Sequence, residues 1–205
     1  MTTISNQTLA QIRERQAAIL GEPQRIHSPA DISDEMRALA APPRGYGRPG
    51  ELPEIYASML HASGLLRLFR PLGAYFLVEG SLTPRDRELA VLRVSWRCQS
   101  PYEWGEHVKI GKKAGLTTEE IERVKEGSGS PAWNREDRAV VCAVDELLDT
   151  AMISDATWQV LAERLHEKEL IELIILIGQY QVTAYYLNAL RIPLREDNPD
   201  GLLAR

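Results

Sequence analysis

Cysteine is scarce in this chain: 205 residues hold only Cys98 and Cys142. Two thiols do not make a disulfide framework, so the fold must rest on its hydrophobic core, and the reducing cytoplasm is the expected compartment. Basic charge is not in excess either. Lys and Arg number 24 against 29 Asp and Glu, a net charge of −5. That balance excludes the basic surface that nucleic-acid binding needs, and the basic amphipathic face that membrane-surface binding needs. Long apolar runs are also missing. The greasiest segment, Leu170–Ile177, is interrupted by Glu172 and followed by Gln179 and Gln181, so it is read as too short and too polar to span a bilayer. Met1–Ala10 is polar and lacks an apolar stretch of signal-peptide type. The four histidines (His27, His61, His107, His166) are scattered, with no second His or Cys at metal-ligand spacing, so no metal is expected. No alternation of polar and apolar residues between turn signals argues for a sheet.

What is present is a succession of helical patterns. Apolar residues make up 44% and charged residues 26%, ordinary values for one globular domain with an extension. Residues 3–20 read as a helix, and Ala41-Pro-Pro-Arg-Gly-Tyr-Gly-Arg-Pro-Gly50 reads as a linker. Residues 1–50 are therefore an N-terminal arm and 51–205 the helical domain. Within that domain a helix from Pro53 to about His61 is followed by Leu65–Val78. Thr83-Pro84 reads as N-cap and N1 of a helix over Arg85–Arg97. Ser100-Pro-Tyr-Glu103 has the form of a capping box opening a helix to about Ala114, ended by Gly115, and Thr117-Thr-Glu-Glu120 repeats the device. Helices over Asn134–Thr150, Ser154–His166 and Glu167–Leu190 complete an all-α reading.

Three groups stand out for chemistry: Glu88, Glu103 and His107. Glu103 and His107 are i and i+4, so they share one helix face, and the short turn Cys98-Gln-Ser-Pro101 makes that helix a neighbour of the one carrying Glu88. A histidine held by a carboxylate is a common general acid/base unit. Plainer roles fit the same residues. Glu103 fits the third position of the capping box. Glu88 fits a first-turn carboxylate favoured by the helix dipole, and His107 a satisfied core histidine.

Arg87-Glu-Leu-Ala-Val-Leu-Arg93, then Cys98-Gln-Ser-Pro-Tyr-Glu-Trp-Gly-Glu-His107 and Lys113-Ala-Gly-Leu116, resembles the carboxymuconolactone decarboxylase-like family, which shares its fold with alkylhydroperoxidase D. The resemblance spans roughly 50–195. It implies an alkylhydroperoxidase D-like helical bundle that self-associates as trimers or hexamers. The family's peroxidase branch carries a Cys-x-x-Cys pair ending four residues before the histidine. Here those positions are Ser100 and Glu103, and Cys98 is out of register. The resemblance therefore favours the decarboxylase side, where proton transfer suffices and no cofactor is required. By that resemblance His107 is the acid/base, Glu88 its partner and Glu103 a group that tunes it. Arg93 is a candidate carboxylate anchor, although a structural ion pair suits it equally. Tyr102, Trp104 and Cys98 are expected beside the substrate. The leading expectation is a cofactor-independent lyase or isomerase for a small carboxylated or lactone-type compound. The alternatives are a thiol peroxidase working through Cys98 and a non-catalytic small-molecule-binding oligomer.

Overall fold

A computed structural model describes residues 9–48 and 50–195. In chain order the helices are α1 (Leu9–Leu20), α2 (Asp34–Leu39), α3 (Glu54–Ala57), α4 (Ser63–Val78), α5 (Pro84–Arg97), α6 (Pro101–Lys113), α7 (Thr118–Glu126), α8 (Arg135–Thr150), α9 (Asp155–Ala162) and α10 (Glu167–Leu190). A 3-10 turn over Ser58–Ala62 joins α3 to α4. Among the described residues there is no strand. The part of the first expected helix before residue 9 lies outside them.

Local chemistry sets most helix starts. Thr83 accepts from the Asp86 N–H with Pro84 in the first turn, Asn134 accepts from Asp137 N–H, and Ser154 from Thr157 N–H. Each cap satisfies a donor that the helix leaves unpaired, worth about 1 kcal/mol. Thr117 and Glu120 form the expected reciprocal capping box. Ser100 does not. Its side chain makes no cap hydrogen bond, and Glu103 is turned into the interior while the Ser100 N–H goes to Ser95 O. Two further differences are short. The arm contains α2, a helix not expected there and opened by a Ser33 cap, and α9 stops at Ala162 rather than running to His166.

α5 is the axis of the fold. Every residue from Asp86 to Arg97 is buried, and the helix packs against α6, α7, α8 and α10. Leu89 and Leu92 are fully enclosed, each contributing roughly 2–3 kcal/mol of apolar burial. A helix buried on all sides must also neutralise its charges. Asp86 pairs with Arg164 on the segment after α9 at 2.6 Å, and Arg97 reaches Asp145 and Asp149 of α8 at 2.6 Å each. α10 is long and apolar enough to cross a membrane by length and composition alone, but half of that window is buried inside the fold. A second apolar cluster ties the arm down: Met36, Leu39 and Ala40 pack with Met59, Leu60 and Leu66.

Candidate active site

The turn between α5 and α6 places the chemistry. Gln99 adopts a left-handed conformation (φ 52°), and the Ser100 N–H reaches back to Ser95 O at 2.9 Å. This reverses the chain so that α6 returns along α5. The two helices approach closely at Gly111. A Cβ there would lie 3.2 Å from Leu116 Cδ1, 3.3 Å from Leu92 Cδ1 and 3.8 Å from Glu88 Cβ. His107, one turn before Gly111, is thereby set against Glu88.

Glu88 and His107 meet as the spacing suggests. His107 Nδ1 and Glu88 Oε2 are 2.7 Å apart, with Glu88 wholly enclosed. A carboxylate in that position accepts a hydrogen bond from Nδ1–H and leaves Nε2 to act as base or, once protonated, as acid. The other carboxylate oxygen accepts from Arg87 Nε at 2.8 Å, and Arg87 Nη1 donates to Phe76 O at the end of α4 at 3.3 Å. Tyr180 of α10 presses edge-on against the imidazole, with ring centroids 4.9 Å apart. Arg87, Glu88 and His107 thus form one buried row, oriented from both ends.

Glu103 occupies the same wall without touching that row. Its hydrogen-bond partner is Ser95 Oγ at 3.1 Å, and Oε1 has no partner among the described residues. Burial pushes its carboxyl well above the usual carboxylate range, opposed only by the bond to Ser95. Ser95 Oγ also lies 2.8 Å from Val91 O. A hydroxyl owns one hydrogen, so a protonated Glu103 that donates to Ser95 Oγ lets Ser95 donate to Val91 O. A neutral carboxyl satisfies both contacts.

His107, Glu103, Arg87, Tyr102 and Tyr180 line a cavity of about 600 Å³. Its remaining wall includes Pro42, Pro43 and residues 45–48 of the arm, with Arg70 and Lys113 contributing further positive charge. Tyr46 is anchored by its hydroxyl to Leu77 O at 3.2 Å, and Arg70 donates to Ala41 O at 2.5 Å.

Three sequence candidates lie elsewhere. Arg93 is buried with Nε on Asp145 at 2.7 Å and Nη1 on Val124 O at 2.8 Å, where it closes the end of α7 against α8. Its fork is spent on the fold. Trp104 packs against Trp96, with Lys125 above both rings. Cys98 faces a different cavity, beside Arg15, Leu148 and Tyr185. Desolvation pushes the Cys98 thiol up to about 12. Cys98 and Cys142 are both free thiols. Sequence reasoning missed Arg87 and Tyr180 and left the role of the arm open. Arg87 was visible as the neighbour of Glu88, but only the fold shows that its guanidinium turns along the helix toward that carboxylate. Tyr180 was hidden inside an apolar helix.

Residues 64–145 match the model of the carboxymuconolactone decarboxylase family. No curated protein matches the sequence. Among solved structures, the chain is similar to the alkylhydroperoxidase AhpD core of an uncharacterized peroxidase-related protein from Ralstonia eutropha JMP134, at TM-score 0.72 and 17% identity over 90% of this chain and 98% of that one. An uncharacterized peroxidase-related protein from Silicibacter sp. TM1040 gives TM-score 0.72 and 16% identity over 86% and 94%. The debrominase Bmp8 gives TM-score 0.67 and 16% identity over 89% and 97%. At these identities the likeness establishes the fold, and function must be argued from the site.

Proposed function

We propose a function from one premise: this chain carries a carboxymuconolactone decarboxylase family segment over residues 64–145, on an alkylhydroperoxidase D-like fold. It is a cytoplasmic enzyme that moves protons on a small carboxylated or lactone-type compound, as a lyase or an isomerase. The observation that carries this reading is the 2.7 Å contact of His107 Nδ1 with Glu88 Oε2 in the wall of the cavity.

The chemistry divides between two groups with different roles. His107 Nε2, with Nδ1 tied to Glu88, takes or returns a proton at the substrate. Glu103, kept neutral by burial, supplies a hydrogen bond or a proton from the same wall. A proton acceptor and a proton donor on one wall are the pattern of an acid/base pair. In a decarboxylation, the carbon–carboxylate bond breaks, CO₂ leaves, and the bonding pair passes into the conjugated carbonyl as a dienolate. A proton then goes to carbon. In an isomerisation, one group removes the proton and the other returns it elsewhere. Arg87 takes over the anchoring role first assigned to Arg93. It lies at the cavity, and a guanidinium suits a substrate carboxylate.

A thiol peroxidase reading has less support. Cys98 opens on another cavity, its thiol is held in the protonated form, and the thiolate is the reactive species.

The test is a panel of carboxylated lactones and unsaturated carbonyl acids, assayed for CO₂ release and for solvent deuterium incorporation by NMR. His107→Ala and Glu88→Gln are each expected to reduce turnover by about 10²–10⁴-fold with the helical circular dichroism retained. Turnover that survives both substitutions sinks the proposal.

A further inference from the structure

α10 presents an apolar stripe to solvent that the fold does not use. Ile171 (62% exposed), Ile175 (48%), Val182 (53%) and Tyr185 (57%) recur at helical spacing along one face, and Gly178 sits at the centre of the series. The two outer residues are each seven positions from Gly178, and the inner pair flank it at three and four. A glycine in mid-helix costs about 1 kcal/mol relative to alanine. Nothing among the described residues requires it, since a Cβ at Gly178 would meet nothing within 4 Å.

We propose that α10 crosses α10 of a second copy antiparallel at Gly178, making a two-fold dimer. A helix face symmetric about its own midpoint is self-complementary under a two-fold axis, which is what an isologous interface demands. Ile171 then meets Tyr185 of the second copy, Ile175 meets Val182, and the missing Cβ of Gly178 lets the backbones approach at the axis. The neighbouring helix continues the surface. α4 runs antiparallel to α10, tied by Tyr75 Oη to Glu172 at 2.5 Å near one end, with Ser58 just before α4 tied to Tyr186 at 2.7 Å near the other. It adds Leu65 (55%), Leu68 (74%) and Leu72 (37%) beside the stripe.

The area suits a dimer. A buried aliphatic side chain corresponds to roughly 60–120 Å² of apolar surface and a tyrosine to about 200 Å². At the exposures above, the seven side chains offer on the order of 400 Å² per protomer. Two copies thus bury about 800 Å² of apolar side chain, and with apolar atoms near 60% of an interface the total is about 1,300 Å², inside the range of specific complexes.

Sedimentation of the full chain at micromolar concentration is expected to give a dimer or an even-numbered assembly of dimers. Ile175→Asp is expected to raise the dimer dissociation constant about 30-fold or more, as for an interface hot spot. Gly178→Cys, with open space around the new side chain, is expected to form a disulfide-linked dimer under mild oxidation while the unaltered chain does not. Ile171→Cys and Tyr185→Cys are each expected to stay unlinked alone and to cross-link when mixed. A monomer, a bare trimer, an Ile175→Asp chain that associates unchanged, or a Gly178→Cys chain that dimerises without forming the disulfide overturns the proposal. So does a monomer that co-floats with phosphatidylcholine vesicles, which assigns the stripe to lipid.

Discussion

Glu103 couples folding to pH through a carboxyl that burial keeps protonated. Its folded pKa is raised above the unfolded value, so the unfolded chain releases the proton first as pH rises. Its contribution to stability is therefore complete below the ordinary carboxylate range and is lost as pH climbs toward the folded value. Glu103→Gln replaces the neutral acid with an amide that can still donate to Ser95. Urea denaturation at pH 5 and pH 8 is expected to show the original chain weakening at the higher pH more than the Gln variant. Equal slopes would mean that Glu103 is ionised in the fold. Arg93 makes the opposite kind of prediction. Arg93→Met removes the bonds to Asp145 and to the carbonyls that close α7, at a cost of about 2–3 kcal/mol. Substrate affinity is expected to stay within about twofold, because Arg93 lies away from the cavity. A variant of normal stability that fails to bind would reinstate it as an anchor. At this scale, the sequence carried the Glu88–His107 pair, since the short turn between their two helices leaves few geometries. It did not carry the split between Arg87 and Arg93. Both are arginines in one motif, and only packing decides which guanidinium meets the cavity.

Between elements, the close approach of α5 and α6 governs how well His107 is held. Gly111 leaves no more than a hydrogen's room between Leu92 and Leu116. Gly111→Leu must push the helices apart, at an expected cost of about 1–3 kcal/mol for overpacking. The same displacement pulls His107 from Glu88, so the loss of turnover is expected to exceed what the stability loss explains. Thermal melting and single-turnover kinetics on one preparation separate the two effects. A variant that loses stability but keeps full turnover would uncouple the helix spacing from the site. Helix starts were legible because Thr83, Thr117, Asn134 and Ser154 satisfy backbone donors by local rules that tertiary contacts leave intact. Ser100 broke the rule for a physical reason. A capping role needs Glu103 at the surface of the first turn, whereas the return of α6 along α5 rolls that carboxyl inward to Ser95. The end of α9 was beyond reach because no breaker in the chain marks it, whereas the six-residue α2 did carry a local signal in its Ser33 cap.

Across the whole molecule, the arm and the helical domain share responsibility for the cavity. Glycine and proline marked residues 41–50 as a linker, and that composition says nothing about where the segment lies. In the fold it becomes wall: Arg70 holds Ala41 and Pro42 through their carbonyls, and Tyr46 is pinned to α4. Behind it, Met59, Leu60 and Leu66 are buried in the cluster that Met36, Leu39 and Ala40 complete. Deleting residues 1–50 uncovers those side chains, each worth about 1.5–3 kcal/mol when fully buried. At about 2–4 °C per kcal/mol for a chain of this size, Tm is expected to fall by about 10 °C or more. The variant is also expected to bind a hydrophobic dye that the full chain excludes. Its Glu88–His107 contact needs only α5 and α6, so deuterium exchange at a small substrate should persist at saturating concentration while the concentration required rises. A truncated chain with unchanged Tm would show that the arm is not docked. Unchanged substrate affinity would show that the cavity does not depend on its roof.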